Sequence, residues 1–188
     1  MTVLDAMQQR RSIRKFLPQK IPTELLTQII DSTRLYPTGG NVQPLRFAII
    51  TNPTNCSAIF ADIAWAMYLP EFKVQDHEQP AAYIALLRDD DVLHNCDYEV
   101  GAASTMIMLA AVSEGLASCP IGNFNGKRLS ALLNLTDNLK PELIIALGYP
   151  AQESHVIPMI DSVEYSENAN RDFLVPKWST KNVIVFSD

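Results

Sequence analysis

The sequence predicts one domain that mixes helices with strands and finishes in an arm. Three observations carry this. The most apolar stretch, Val100–Val112, is 13 residues long; a membrane span needs about 20 apolar residues, so this is a buried core helix and no membrane is implied. Three further apolar runs, at 45–51, 81–88 and 142–150, have the length and β-branched content of strands. From Ala151 onward the chain turns polar and irregular, then closes on the strand-like apolar run Val183–Phe186. A chain of 188 residues, 47% hydrophobic and 19% charged, is ordinary for a single domain that buries a core.

Taken in order, Thr2 caps a short helix in which Val3, Leu4 and Met7 share one face. Pro22 suits a first helical turn, and Leu25, Leu26, Ile29 and Ile30 repeat at helical spacing to about Arg34. "YPTGGNVQP" (36–44) is a loop by composition, and "LRFAIIT" (45–51) is a strand. Residues 54–69 read as a helix striped by Ile59, Ile63, Ala66 and Met67. "AAYIALLR" (81–88) is the second strand. The helix over 97–114 is apolar nearly all round and rich in small residues, so it is central and lets neighbours approach. "LASCPIGNF" (116–124) is a short strand breaking into a loop. A helix capped by Asn125 follows from Gly126 to Leu133, and "ELIIALGYP" (142–150) is the third long strand. The tail, 151–188, reads as an arm that pairs with another subunit.

Several functions are excluded at this level. A net charge of −6 argues against a nucleic-acid binder, whose domain is usually basic. Cys56, Cys96 and Cys119 are widely spaced with no CxxC, so neither a disulfide framework nor a dithiol redox pair is indicated. His77, His94 and His155 are scattered, and no metal site is expected. "GNFNGK" (122–127) lacks the spacing and the hydroxyl of a phosphate loop. Residues 1–16 are polar and charged rather than signal-like, which reads as cytoplasmic. No nucleophile constellation is present, which points to chemistry carried by a cofactor.

Three elements suggest which cofactor. Arg10, Arg11, Arg14 and Lys15 concentrate four of the fifteen cations beside Ser12. Arginine forks with a hydroxyl suit one phosphate dianion; the plainer reading is a solvated helix end. In "PTGGNVQP" the glycines let backbone approach a flat ligand, while Asn41 and Gln43 offer donors and acceptors to a heterocycle such as a flavin or pterin. "CPIGNF" is a strand-end loop with Pro120 and an unencumbered Gly122.

Together these resemble the nitroreductase-like family of FMN-dependent oxidoreductases. "RRSIRKF" is similar to the family's RRSxRxF motif, and "YPTGGNVQPLRF" to its P-S-x-x-N-x-Q-P-W-x-F loop and strand. "YEVGAASTMIMLAAVSEGLASCPIGNF" resembles its central helix and G-L-x-S-x-x-I-G ending, and "VPKWS" its C-terminal arm. The resemblance implies an α+β fold, a mainly antiparallel sheet sandwiched by helices, with the C-terminal arm swapped onto the partner of a homodimer. It implies FMN, NADH or NADPH as reductant, and a ping-pong cycle that reduces a small acceptor such as a nitroaromatic or quinone. By motif position Arg10, Arg11, Ser12 and Arg14 would hold the phosphate and ribityl chain, with Arg14 reaching the flavin N1/O2 edge. Thr38, Gly39, Asn41 and Gln43 would line the flavin from their own or the partner subunit. Pro120, Ile121 and Gly122 would face the ring, Gly122 as the catalytic element whose N–H lies near N5. Lys177 would be a second phosphate cation. The alternative is a flavin protein of the same fold with another reaction, reductive dehalogenation or flavin breakdown, or with slow NAD(P)H turnover. Leu45 stands where the family often has Trp, Gly122–Asn123 replaces an acidic-plus-Gly pair, Ser179 replaces a common cation, and the stretch 69–80 is short.

Overall fold

In the computed structural model, which describes residues 1–187, the first helix α1 (Val3–Gln9) starts at a capping box. The Asp5 N–H donates to the Thr2 hydroxyl at 3.1 Å, and the Thr2 N–H donates to the Asp5 carboxylate at 2.8 Å. Only Ala6 of this helix is buried; the apolar face of Val3, Leu4 and Met7 lies exposed on the single chain. Helix α2 (Thr23–Thr33) follows, with Pro22 at its N-cap rather than inside the first turn. Leu26 and Ile29 anchor it in the core.

Four strands form the main sheet: β1 (Leu45–Ile50), β2 (Ala82–Asp89), β3 (Ala117–Ile121) and β4 (Leu139–Gly148). Their order is β1-β2-β4-β3, and every pairing is antiparallel. Central strand β2 is buried on both faces, which is why it reads as a continuous apolar run rather than an alternation. Ala82, Ile84 and Leu86 face α2 and the long helix α4 (Asp97–Ser113); Ala103, Ile107 and Ala111 of α4 are wholly buried there. Tyr83, Ala85 and Leu87 face the other layer, with Cys56 and Ile59 of α3 (Pro53–Phe60) and Leu129 of α5 (Gly126–Leu133). Asn125 caps α5 as its sequence predicts, accepting the Arg128 N–H at 3.1 Å. This is the helix-flanked antiparallel α+β architecture.

Three expectations are corrected. The helix read over 54–69 stops at Phe60. A continuing helix would give the Trp65 carbonyl to a later N–H, but Arg14 Nε takes it at 2.6 Å, and Trp65 packs on Phe60 with centroids 5.7 Å apart. The tail is also not irregular throughout. Strands β5 (Ser154–Pro158), β6 (Ser166–Glu167) and β7 (Phe173–Lys177) make a second sheet in the order β5-β7-β6. It is pinned by Phe173, fully buried against Phe72 and Tyr165. These strands are short and only Phe173 is core, so no alternation marks them in the sequence. Val183–Phe186 is no strand: the single turn α6 (Thr180–Val183) leads into an unpaired segment in which Val185 is 97% exposed.

The N-terminal segment closes on β4 at one tight point. A Cβ built on Gly148 would lie 2.6 Å from Phe16 Cδ1 and 2.8 Å from its Cβ, and Phe16 is itself wholly buried. Gly148→Ala is therefore expected to destabilise the fold by about 1–3 kcal/mol through overpacking. Urea unfolding checks this; an unchanged midpoint would show that Phe16 can retreat.

Candidate functional site

Residues 10–17 touch β3 at one point and then pair with the chain just past β4. Ser12 bridges Ser118, the Ile13 N–H donates to the Ser118 carbonyl at 3.0 Å, and the Leu17 N–H donates to the Tyr149 carbonyl at 2.8 Å. This pairing places Arg10, Ser12 and Arg14 beside the strand that ends at Ile121, so two of the three sequence motifs meet in one chain. Cys119 registers the proximity: burial pushes its thiol up, while the charges of Arg14 and Arg10 pull it down. The thiol is only 3% exposed, which leaves it little access to a substrate.

The electrostatics of the cluster are unusual for an acidic chain. Arg34, Arg46, Arg88, Arg128 and Arg171 all pair with carboxylates. Among the described residues, Arg10, Arg11 and Arg14 have no carboxylate partner. Lys15, counted with them by sequence, belongs elsewhere: it is 2% exposed, bound to Glu167 at 3.2 Å and set over the Phe72 ring. The Arg14 guanidinium lies 4.9 Å from the Phe173 centroid and 5.1 Å from that of Tyr165. Arg11 lines a different cavity, with Gln9, Val112, Gly115 and His155. Its Nη1 donates to the Arg10 carbonyl at 2.7 Å, and its buried Nε has no partner. Ser118 Oγ, beside Ser12, is likewise buried and unpartnered.

Past β3 the chain opens outward. Gly122 is exposed, and a Cβ built on it meets nothing within 4 Å. Its backbone is not left-handed, so the bare surface, not the turn, is what the glycine provides. Pro120 is half-buried; Ile121 turns its side chain into the core and can offer only its backbone.

The loop 38–43 is strained in the way functional loops often are. Gly40, Asn41 and Gln43 have φ of 57°, 56° and 52°, and the two non-glycines pay for that conformation. The Gln43 N–H donates to Thr38 Oγ1 at 3.3 Å, and Arg46 Nη1 donates to the Gln43 carbonyl at 3.0 Å. Gly39, Asn41 and Gln43 are exposed. The loop leads into β1, at the opposite edge of the sheet from β3, three strand spacings or about 14 Å away. One chain does not bring it to Gly122. Lys177 is exposed at the far end of β7, four positions past Phe173, or about 13 Å along the strand from the ring that carries Arg14.

Sequence reasoning missed Trp65, Tyr165 and Phe173, which lie far along the chain from the arginines and carry no local pattern; Ser118 stands within the G-L-x-S-x-x-I-G segment but was given no role of its own. Among the described residues no group of three or more His, Cys, Asp or Glu could hold a metal, and no helix is long and apolar enough to cross a membrane.

Comparison with known proteins covers the same elements. A "NADH dehydrogenase" of Thermus thermophilus is 27% identical, over 84% of this chain and 94% of its own. An "Iodotyrosine deiodinase" of Nematostella vectensis is 24% identical, over 80% of this chain and 68% of its own. Among solved structures, a nitroreductase from Desulfovibrio desulfuricans in complex with FMN is 28% identical, with a TM-score of 0.68 over 81% of this chain and 88% of its own. A NADH dehydrogenase/NAD(P)H nitroreductase from Bacteroides thetaiotaomicron has a TM-score of 0.70 over 85% of this chain and 92% of its own; at 22% identity it speaks for the fold alone. The model of the nitroreductase family matches residues 7–149, from within α1 to the end of β4, taking in the arginine segment, the strained loop and the end of β3; the chain belongs to the nitroreductase family.

Proposed function

We propose that this chain is an FMN-dependent NAD(P)H oxidoreductase that works as a homodimer and reduces a small acceptor of the nitroaromatic or quinone type. The observation that carries the reading is the set of unpaired arginines beside β3. Every other arginine has found a carboxylate, so these are cations whose counter-charge comes from outside the chain. The residues present fit FMN on three counts: the unpaired Arg10 with Ser12 for a phosphate, an orphaned buried hydroxyl at Ser118, and open space before Gly122. The names of the relatives and the FMN complex of the Desulfovibrio neighbour support the same reading.

When bound, FMN supplies hydride and electron transfer at its ring. The chain supplies the rest. Arg10 and Ser12 grip the phosphate through charge-assisted bonds. Arg14 offers a fixed positive charge where negative charge builds on reduction. Gly122 presents a backbone N–H on a surface no side chain obstructs, with Pro120 and Ile121 behind it. Arg11 joins the phosphate only by turning out of its own cavity, and the assignment of Lys177 rests on its motif. Thr38, Gly39, Asn41 and Gln43 reach a ring at Gly122 only from a second copy. The exposed apolar residues of α1 and the unpaired tail at Val183–Phe186 are the surfaces such a copy would cover. The acceptor set includes an iodinated phenol, because relatives named iodotyrosine deiodinase favour dehalogenation as the second reading.

Titration with FMN against riboflavin tests the phosphate reading. FMN is expected to bind at least about a hundredfold tighter, since two charge-assisted contacts distinguish them. Equal affinities would remove the arginines from the cofactor site.

A further inference from the structure

The Arg14 side chain is held from three directions. Nε donates to the Trp65 carbonyl at 2.6 Å and Nη1 reaches the Ser12 carbonyl at 3.4 Å. The guanidinium plane lies against two rings, Phe173 at 4.9 Å and Tyr165 at 5.1 Å. The rings are held in turn: Tyr165 and Phe173 are 5.4 Å apart, Tyr68 meets Tyr165 at 5.1 Å, and Phe72 meets Phe173 at 5.2 Å. The backbone is fixed too, since the Arg14 N–H donates to Gln152 Oε1 at 3.3 Å and Gln152 Nε2 donates to the Arg171 carbonyl at 2.8 Å. Glu167, the acid that the second sheet brings to this corner, is bound by Lys15 at 3.2 Å and Arg171 at 3.6 Å. The charge of Arg14 is thereby left unquenched. Among the described residues Nη2 has no hydrogen-bond partner.

A mobile arginine would need no such cradle. Stacking on aromatic faces and a bonded inner edge orient the plane and leave one outer nitrogen free. That is the arrangement of a preorganised cation, whose effect on developing charge is largest when it need not reorganise. We propose that Tyr165 and Phe173, with the Trp65 carbonyl, are positioning residues that hold Arg14 in register with the flavin edge, so that the C-terminal sheet sets the reduction potential of the bound cofactor. The inference rests on the FMN reading for its consequence, but not for its geometry.

The test uses the full chain and two readouts. In the protein without added flavin, the Nε–H resonance of Arg14, identified by its loss in Arg14→Lys, should be ring-shifted and slow to exchange. Tyr165→Leu should move it and speed exchange at least about tenfold, while Tyr165→Phe, which keeps the ring, should not. At saturating FMN, Tyr165→Leu should lower the midpoint potential by about 30 mV, a tenfold loss of preference for the two-electron-reduced flavin. In an Arg14→Ala background the same change should do nothing further. Should Tyr165→Leu fail to fold, Tyr165→Met serves as the ring-free variant. A resonance indifferent to loss of the ring, or a potential shift that persists without Arg14, overturns the proposal. A chain that binds no FMN yet shows the ring-dependent resonance upholds the clamp and refutes the cofactor reading.

Discussion

Arg10→Ala combined with Arg14→Ala is expected to leave a folded chain that binds FMN about two to four decades more weakly, charge-assisted hydrogen bonds being worth roughly 1.5–3 kcal/mol each. The structure says why the fold should survive. Neither guanidinium closes an ion pair, so no carboxylate is left uncompensated when they go. Arg14 gives up its bond to the Trp65 carbonyl and its contacts with the Tyr165 and Phe173 rings, and neither ring belongs to the two core layers that pack on the main sheet. Affinity for riboflavin should fall less than that for FMN, because riboflavin loses only the contact of Arg14 with the ring edge while FMN also loses that of Arg10 with the phosphate. Flavin fluorescence titration and a thermal melt together check the claim. Retained FMN affinity would mean that the cluster is only a solvated surface.

The second large effect is at Gly122. Gly122→Val should slow reduction of the bound flavin by NADH or NADPH at least tenfold. The free chain has no objection to the side chain: a Cβ meets nothing within 4 Å, and φ lies outside the left-handed region. Any loss must therefore come from what occupies the space in front of the loop. Cys119→Ala, three residues earlier, should keep substantial NAD(P)H oxidation, because the thiol is buried and burial holds it protonated. Anaerobic stopped-flow reduction separates the two. If Cys119→Ala abolishes reduction and Gly122→Val does not, the backbone-donor role is wrong and a thiol role replaces it.

How far the fold was legible depended on how local each signal was. The Thr2 box and the Asn125 cap are set by residues three apart, and both stand where the sequence puts them. Strands β1, β2 and β4 were clear because burial on the sheet's faces leaves long apolar runs. The end of α3 was not legible, because neither Gly nor Pro marks Phe60; beyond it, the Trp65 carbonyl is held by a distant arginine and not by a helical N–H. The second sheet was hidden for a similar reason: its order comes from Phe173 meeting Phe72 and Tyr165, contacts no period reveals. The arginines were visible as a cluster, but not that Lys15 turns inward to Glu167 while Arg14 stays unpaired. That division is decided by a residue more than 150 positions away. The antiparallel order of the sheet came from family resemblance, since strand polarity is not written in apolar runs.

The most direct measurement of the central claim is the visible spectrum of the FMN-loaded protein under nitrogen, before and after one equivalent of NADH or NADPH. The account predicts that the yellow band bleaches with at least one nicotinamide and returns when a quinone, nitroarene or iodinated phenol is added. A bound flavin that neither nicotinamide bleaches would contradict an NAD(P)H oxidoreductase, whatever the fold.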